Sequence, residues 1–265
     1  MSKEEKKFKI VPTKKTRYLL PNILTLVGVC LGISSIKFAI DKNFSLAVIF
    51  ILLAAILDAL DGRIARLIKA TSEFGKELDS LTDFVSFGIA PALILYFWEL
   101  NNYGKIGWTI TLIYSVCCVI RLARFNLTKF DGTDVWKQNY FQGIPSPIGA
   151  ILILLPLIYE LSDLKEYLNL NSLTPYLVII ISLLLISKFP TFSFKKISIP
   201  PKLTIFILFG MSISVVALIF FTFETLLFLG ILYIFTIPLA FLTYSKKNKN
   251  IQINTSTPEN DEDIL

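Results

Sequence analysis

The sequence predicts an all-α, polytopic integral membrane protein with about eight transmembrane helices. Of its 265 residues, 54% are hydrophobic, and the mean hydropathy is +0.66, a composition that soluble domains rarely reach. Eight apolar runs approach or reach the length needed to cross a bilayer. They are approximately Leu19–Ile40, Leu46–Ile68, Leu81–Glu99, Ile106–Leu122, Ile144–Leu161, Leu173–Ile186, Leu203–Phe221 and Thr222–Leu242.

These runs differ in how clearly the sequence delimits them. The first, second and fourth are clear, because each is long and carries few charges. Asp79 and Asp83 lie at the start of the third, and the Pro-containing stretch Phe141–Pro147 opens the fifth. The sixth is short for a span. Little more than Phe223 and Glu224 separates the last two runs, so the boundary between them is soft.

Basic residues are distributed unevenly between the two ends of these runs. All but four of the 26 Lys and Arg residues lie in the amino-terminal tail, in every second connection and in the carboxyl tail. Cytoplasmic connections of membrane proteins carry the excess of Lys and Arg, so the pattern predicts that both termini are cytoplasmic. The alternation favours an even number of spans, in a multi-pass protein of the inner (cytoplasmic) membrane.

Composition excludes several kinds of site. The chain has no histidine, which removes histidine bases, histidine metal ligands and Ser-His triads. Cys30, Cys117 and Cys118 lie in apolar runs without zinc-site spacing, so we interpret them as small buried apolar residues. The net charge of +6 is concentrated between the spans, an arrangement that argues against a nucleic-acid partner.

Four aspartates lie inside or at the edge of apolar runs. An unpaired carboxylate near the bilayer centre costs roughly 2.5–3.5 kcal/mol on insertion scales. Four that converge also repel one another, and Arg66 alone cannot offset both penalties. Hard divalent cations can, because they prefer several oxygen ligands. The full pattern is Asp58-x2-Asp61-Gly62-x2-Ala65-Arg66-x8-Gly75-x3-Asp79-x3-Asp83.

The spacing of the aspartates places each pair on one helical face. Asp58 and Asp61 are three residues apart near the end of the second run, and Asp79 and Asp83 are four apart at the start of the third. The short connection predicts antiparallel neighbouring helices, whose carboxylates face each other at headgroup depth. Such a cluster can hold one or two Mg²⁺ or Mn²⁺ ions. The alternative from another class is a cation transporter with an acidic intramembrane site.

The complete pattern resembles the signature of the CDP-alcohol phosphotransferase family at every fixed position. Members of that family are membrane enzymes with six core helices that use a divalent metal to transfer a phosphatidyl-type group from a CDP-linked lipid to an alcohol. The resemblance implies that Asp58, Asp61 and Asp79 are metal ligands. It implies that Asp83 is both a ligand and the general base for the acceptor hydroxyl. The implied CDP-lipid site contains Gly62, Ala65, Arg66 and Gly75.

Further segments narrow the resemblance. Pro21-Asn22-x2-Thr25 opens the first run, as is common in this family, and adds Asn22 and Thr25 to the implied nucleotide site. Three other segments resemble membrane-embedded phosphatidylserine synthases, which implies CDP-diacylglycerol and L-serine as substrates. Arginine can bind a carboxylate in bidentate fashion, so Arg121 and Arg124 are candidate serine ligands. The alternative acceptors within the family are glycerol 3-phosphate, inositol phosphate and choline. The three segments are Arg121–Asn126, Phe141–Pro147 and Ser187–Ser193.

The resemblance also implies a mechanism and a division of the chain. The serine hydroxyl would lose its proton to Asp83 and attack, in line, the phosphorus that bears the diacylglycerol, releasing CMP. The family resemblance suggests a homodimer, and the charge pattern places the site on the cytoplasmic side. The expected parts are a basic tail at 1–18, a catalytic core at 19–200, two additional helices at 201–245 and a disordered tail at 246–265.

Overall fold

Helices that pass back and forth through one bundle make up nearly all of the described chain. The computed structural model describes residues 19–127, 140–165, 170–187, 189–192 and 201–256. A π-helical turn, Phe84–Ile89, joins the third helix to the fourth, and short 3-10 turns at Leu100–Tyr103 and Asn171–Leu173 precede the fifth and the eighth. The helices are α1 (Leu19–Ile40), α2 (Phe44–Leu67), α3 (Glu73–Asp83), α4 (Ala90–Trp98), α5 (Gly104–Leu127), α6 (Ser146–Ile153), α7 (Leu155–Leu161), α8 (Thr174–Ile186), α9 (Pro201–Phe220) and α10 (Thr222–Ser256).

Several helical segments have the length and hydropathy of membrane spans. In the described part of the chain there are five, and shorter apolar helices cover Asn171–Ile186 and Leu208–Phe220. The prediction of a helical, polytopic membrane protein is therefore confirmed, although the count of eight spans is not. The five segments are Leu19–Ile40, Phe44–Leu67, Glu73–Trp98, Leu100–Leu127 and Thr222–Tyr244.

Two predicted spans differ in detail from the structure. The third helical segment begins at Glu73 instead of Leu81, because the Ser72 hydroxyl caps its first turn by accepting from Gly75 N at 3.0 Å. The fifth predicted span is two helices that meet at Leu154. Pro156 has no amide hydrogen to continue the preceding helix, which accounts for the break. The acidic turn of the motif is thus part of a helix that continues into the bundle.

The carboxyl end and one pair of connections also depart from expectation. Helix α10 continues to Ser256, so residues 246–256 are helical where a disordered tail was predicted. No proline or glycine interrupts that stretch, and the helix has no reason to end at the membrane boundary. Strands β1 (Tyr140–Gln142) and β2 (Pro190–Phe192) form a small antiparallel pair that the all-α prediction did not include. The predicted tail 1–18 lies outside the described residues.

Helix α1 organises the half of the bundle that carries the motif, because it packs against α2, α3, the π turn and α4. Its contact with the π turn is very close. A Cβ on Gly32 would lie 2.5 Å from Ser86 Oγ and 2.9 Å from Ser86 Cα, so only glycine fits there. The Ser86 hydroxyl donates to the Gly28 carbonyl oxygen at 3.3 Å, which ties the π turn to α1.

The π turn has an identifiable cause in the sequence. Pro91 cannot donate the amide hydrogen that an α-helix would direct to the carbonyl of Phe87, four residues earlier. The hydroxyl of Tyr114 on α5, a fully buried residue, donates to that carbonyl at 2.9 Å. The hydroxyl of Ser115 donates to the Gly88 carbonyl at 3.1 Å. Side chains of α5 therefore supply donors to the irregular turn that directly follows Asp83.

The buried and exposed apolar residues separate as expected for a protein in lipid. The core is built from large aliphatic side chains of α4, α6 and α7, among them Ile94, Leu95, Leu152 and Ile158. Along α9 and α10, large apolar side chains face outward instead. Those surfaces fit the hydrocarbon of a bilayer, where exposed apolar groups carry no penalty. The outward residues include Leu208, Phe209, Ile213, Phe228, Leu232 and Phe235.

Removing the Tyr114 hydroxyl should destabilise the bundle. Tyr114→Phe leaves the buried Phe87 carbonyl without its cross-helix donor, and an unsatisfied buried polar group costs about 1–3 kcal/mol. We expect a loss of that size in the free energy of unfolding, measured by denaturant titration in mixed micelles. Tyr103→Phe, which removes a hydroxyl from a partly exposed residue, serves as the matched control. Equal stability of the two variants would contradict this role for Tyr114.

Candidate active site

Three of the four motif aspartates converge on one point. One carboxylate oxygen from each of Asp58, Asp61 and Asp79 lies within 4.8 Å of the others. Asp58 and Asp61 come from the last turns of α2, and Asp79 comes from α3. The structure therefore brings three of the four predicted carboxylates together. Helix α1 packs against both acid-bearing helices, which the prediction of an antiparallel helix pair did not include.

Asp83 approaches the same cluster from the junction of α3 and the π turn. The carboxyl group of Asp58 lies within side-chain hydrogen-bond range of both Asp79 and Asp83. The Oδ1 atom of Asp83 is buried, and no group in the described residues hydrogen-bonds to it. A buried carboxylate oxygen without a partner is costly, so its environment is built for something that the protein chain itself does not supply.

Asp61 is the most buried member of the cluster and is held by α1. It is 4% exposed, and Thr25 Oγ1 donates to its Oδ2 at 2.7 Å. The same hydroxyl lies 3.0 Å from the Pro21 carbonyl oxygen, one helical turn earlier, so α1 fixes its orientation. This contact gives Thr25 a direct link to the acidic cluster, in addition to the position in the nucleotide site that the resemblance implied.

The electrostatics of the cluster favour a divalent cation. Within the described parts of the chain, no Lys or Arg forms an ion pair with any of the four aspartates; the ion pairs there are Lys37–Asp41 and Lys76–Glu73. Carboxylate oxygens in this density are the ligands that Mg²⁺ and Mn²⁺ prefer. The donor set and the orphaned oxygen of Asp83 together fit such an ion.

A cleft of about 250 Å³ opens beside the cluster, between α1, the end of α2 and the start of α3. All six residues predicted to bind the CDP-lipid line it, together with two of the acids. A Cβ on Gly62 would meet nothing within 4 Å, so the backbone there is open to the cleft. Exposed Arg66 adds a positive charge to the wall. The predicted residues in the lining are Asn22, Thr25, Gly62, Ala65, Arg66 and Gly75.

The first turn of α3 forms one side of this cleft. Thr71, Ser72, Gly75 and Lys76 all line it, and the helix begins at Glu73. Backbone amides at a helix amino terminus carry partial positive charge and attract anions such as phosphates. The cleft therefore combines an anion-attracting helix start, basic side chains and, at its inner end, carboxylates suited to a metal.

The two candidate serine ligands have different surroundings. The Arg124 guanidinium donates to the carbonyl oxygens of Ile186 at 2.6 Å and Ser187 at 3.1 Å, at the carboxyl end of α8. Arg121 is 8% exposed, and its Nη1 donates to the Ser146 hydroxyl. Its Nε is buried without a hydrogen-bond partner in the described residues, and its charge acts on Asp83. Arg121 thus faces the acidic cluster, whereas Arg124 anchors α8.

Ser146 was not among the predicted site residues, although its segment was noted. It stands between Pro145 and Pro147 at the start of α6, where a polar residue opens an otherwise apolar helix. A polar residue at the start of an apolar helix was the only feature of the sequence that pointed to Ser146. Its contact with Arg121 depends on α5 and α6 meeting in space, and no local pattern in the sequence encodes such a meeting.

A model of the CDP-alcohol phosphatidyltransferases matches residues 18–242. The chain belongs to this family. Similar proteins include the CDP-diacylglycerol–serine O-phosphatidyltransferase of Mycobacterium tuberculosis (strain ATCC 25618 / H37Rv), which is 35% identical over 223 residues, 84% of this chain and 78% of the relative. The protein with the same name from Helicobacter pylori (strain J99 / ATCC 700824) is 37% identical over 198 residues, 74% and 81% of the two chains. That from Methanocaldococcus jannaschii is 34% identical over 179 residues, 66% and 76%.

The extent of the family match changes one expectation. The resemblance read from the motifs ended near residue 200, with the last two helices treated as an addition. The family match continues to residue 242 and so includes α9 and most of the apolar part of α10. All of the motif segments lie before α9, so the resemblance based on them did not include the last two helices.

Loss of single carboxylates from the cluster should weaken divalent metal binding. We expect Asp58→Asn, Asp61→Asn and Asp79→Asn each to lower the affinity for Mn²⁺ by at least about 10-fold. Mutation of a residue that only hydrogen-bonds to a metal ligand already costs about 10-fold or more in metal affinity, and loss of a ligand itself should cost no less. Isothermal titration of the purified protein measures this without reference to activity. Asp41→Asn, which alters an exposed acid in an ion pair with Lys37, is the control and should bind as wild type does. Equal affinities in all four variants would exclude this cluster as the metal site.

Proposed function

We propose that this protein transfers the phosphatidyl group of CDP-diacylglycerol to the hydroxyl of L-serine, giving phosphatidylserine and CMP. The observation that carries the proposal is the convergence of Asp58, Asp61 and Asp79, with Asp83 beside Asp58, next to a cleft lined by the residues expected to bind the CDP-lipid. Family membership and the names of the similar proteins support a transferase, and specifically serine as acceptor. They also favour this function over the cation transporter that the acidic residues alone left open.

The cleft between α1, α2 and α3 is the proposed site for the cytidine diphosphate part of the lipid. Its volume of about 250 Å³ is below the roughly 300–1,000 Å³ of sites that enclose a drug-sized ligand, so it holds only part of this substrate. Arg66 and the amides at the start of α3 would bind phosphate oxygens. The diacylglycerol chains would remain in the surrounding lipid.

Asp58, Asp61, Asp79 and Asp83 are the proposed ligands of one or two Mg²⁺ or Mn²⁺ ions. When bound, such ions neutralise the diphosphate and stabilise the charge that develops on the attacking and leaving oxygens. Thr25 holds Asp61 in its orientation through the 2.7 Å hydrogen bond. The close packing of Gly32 against Ser86 fixes the π turn that follows Asp83.

Asp83 and Arg121 are the proposed residues of the acceptor side. Arg121 would bind the serine carboxylate, with Ser146 orienting its guanidinium. The serine hydroxyl would transfer its proton to the Asp83 carboxylate while its oxygen bonds to the phosphorus that bears the diacylglycerol. The bond from that phosphorus to the bridging oxygen breaks, and CMP leaves. Reactions of this class depend mainly on positioning and charge neutralisation.

The same arrangement supports an orientation in the membrane. The end of α2, the start of α3, the end of α5 and the start of α6 surround the proposed site, and eight of the 26 Lys and Arg residues lie in or beside the two connections between these helices. By the positive-inside rule this end would be cytoplasmic, so the substrates would be bound from the cytoplasmic side of the inner membrane.

Acceptor use tests the proposal directly. Purified protein in detergent, supplied with CDP-diacylglycerol, labelled serine and Mg²⁺ or Mn²⁺, should form labelled lipid and CMP in equal amounts. Chelation should stop the reaction reversibly, because the carboxylate cluster then lacks its cation. Parallel reactions with glycerol 3-phosphate, inositol phosphate and choline should yield far less product. Lipid product with one of these acceptors and none with serine would overturn the assignment of the substrate.

One variant in the same assay separates chemistry from binding. Asp83→Asn keeps the shape of the side chain and one oxygen but cannot accept the proton. Turnover should fall at least about 10²-fold, the lower range for loss of a general base, whereas CDP-diacylglycerol affinity should change much less. A parallel collapse of affinity would identify Asp83 as chiefly a metal ligand.

Substitutions of Arg121 and Arg124 should have different effects on the Michaelis constant for serine. Arg121→Ala should raise the Michaelis constant for serine far more than that for CDP-diacylglycerol, and Arg121→Lys should rescue only partly because lysine lacks the planar fork. Arg124→Ala removes two hydrogen bonds to the end of α8 and should lower thermal stability with little effect on the Michaelis constant for serine. The reverse outcome, with serine affinity lost in Arg124→Ala alone, would move the carboxylate site to Arg124.

A further inference from the structure

Three buried polar atoms lack a hydrogen-bond partner in the described residues, and they belong to three different helical segments. They are Asp83 Oδ1, Arg121 Nε and the hydroxyl of Tyr233. Arg121 lies within electrostatic range of both Asp83 and Tyr233. The first two have already been placed on the acceptor side of the site. Tyr233 comes from α10, which lay outside the part of the chain where the motifs had been found.

Close packing holds α10 against the site. A Cβ on Gly230 would lie 2.5 Å from a methyl carbon of Leu155, so α10 packs directly on α7 there and a larger residue would require the Leu155 side chain to move. Further along, the rings of Phe241 and Phe189 pack with their centroids 5.3 Å apart. Tyr233 lies between these two contacts in the sequence, and its position is therefore fixed from both sides.

The surroundings of Tyr233 lead back to Arg121 through one connected set of contacts. Its hydroxyl lies near the Thr191 hydroxyl on β2, but the two do not meet the distance and angle criteria of a hydrogen bond. The Thr191 hydroxyl donates to the Gly143 carbonyl at 2.8 Å, so its own proton is committed there. Gly143, with φ of 77°, begins the turn into α6, whose first residue Ser146 accepts from Arg121. The tyrosine hydroxyl and the guanidinium thus border the same region at the ends of α5 and α6.

The chemistry of the two orphaned groups indicates what they bind. A buried hydroxyl without a partner costs about 1–3 kcal/mol, and phenylalanine would fill the same space without that cost. Both the tyrosine hydroxyl and Arg121 Nε are hydrogen-bond donors, and the arginine charge makes the space between them favourable for an anion. Two such donors on the border of one buried region suit a carboxylate, which can accept from each of them through its two oxygens.

We infer that Tyr233 hydrogen-bonds the α-carboxylate of the acceptor together with Arg121, so that the last helix completes the acceptor site. This inference rests on the proposed transfer to serine and adds a residue that determines acceptor specificity. It assigns to α10 a direct role in substrate recognition. It also accounts for the close contact at Gly230, because a shift of α10 away from α7 would withdraw the hydroxyl from the site.

Tyr233→Phe tests the inference, because it removes the hydroxyl and keeps the ring. The Michaelis constant for serine should rise roughly 2- to 10-fold, the effect of losing one hydrogen bond, while that for CDP-diacylglycerol stays within about 2-fold of wild type. Tyr176→Phe, on the exposed face of α8, is the matched control and should leave both constants unchanged.

A second acceptor separates carboxylate recognition from a general effect on the fold. In L-serinamide a neutral amide replaces the carboxylate, so the preference of the wild type for serine over serinamide measures carboxylate binding. Tyr233→Phe should reduce that preference. An unchanged preference, or an unchanged Michaelis constant for serine, would overturn the inference while leaving the proposed function intact. A wild type that makes no phosphatidylserine would overturn the proposed function, and this inference with it.

Discussion

The rest of this structure depends on four carboxylates that lie together at the edge of a membrane bundle and form no ion pair with a basic side chain in the described residues. Three of them lie within 4.8 Å of one another, and the fourth has a buried, unpartnered oxygen. Mutual repulsion and desolvation oppose that arrangement, so other parts of the fold must hold it together until a cation neutralises it. Helix α1 supplies much of this support, through Thr25 and through its packing against both acid-bearing helices.

The irregular turn after Asp83 is a second consequence of the same requirement. A straight helix would continue the direction of α3, whereas the π turn adds a residue to the helical turn beside Asp83. Pro91 lacks the amide hydrogen that would bond there, and the hydroxyls of Tyr114 and Ser115 on α5 donate to carbonyls of the turn. The absence of a side chain at Gly32 lets α1 approach from the opposite side. The position of Asp83 therefore depends on three helices that are distant in sequence.

The proposed site has two sides with different chemistry, and Asp83 is assigned to the place where they meet. On the proposed donor side, the cleft has an open backbone at Gly62 and a helix start, both of which suit the phosphates of a large nucleotide-linked lipid. The proposed acceptor side contains buried Arg121, which is held by Ser146, and Tyr233 of α10. An open cleft suits a large lipid substrate, and buried hydrogen-bond donors suit a small polar one.

What the sequence determined by itself is local or compositional. The apolar runs, the alternation of basic connections and the spacing of Asp58, Asp61, Asp79 and Asp83 follow from the lengths and periods of helices, which any one segment displays. The convergence of Asp58, Asp61 and Asp79 could be predicted for the same reason, since one short connection links α2 and α3. The residues expected to bind the CDP-lipid were predicted from the family resemblance instead. Contacts between distant segments were decided only by the tertiary structure. The difference between Arg121 and Arg124, four-fifths of a helical turn apart, depends on which neighbouring helix each one meets. The pairing of Tyr114 with Phe87 and the position of Tyr233 near Thr191 likewise arise from packing between distant segments, for which a single sequence carries no periodic signal.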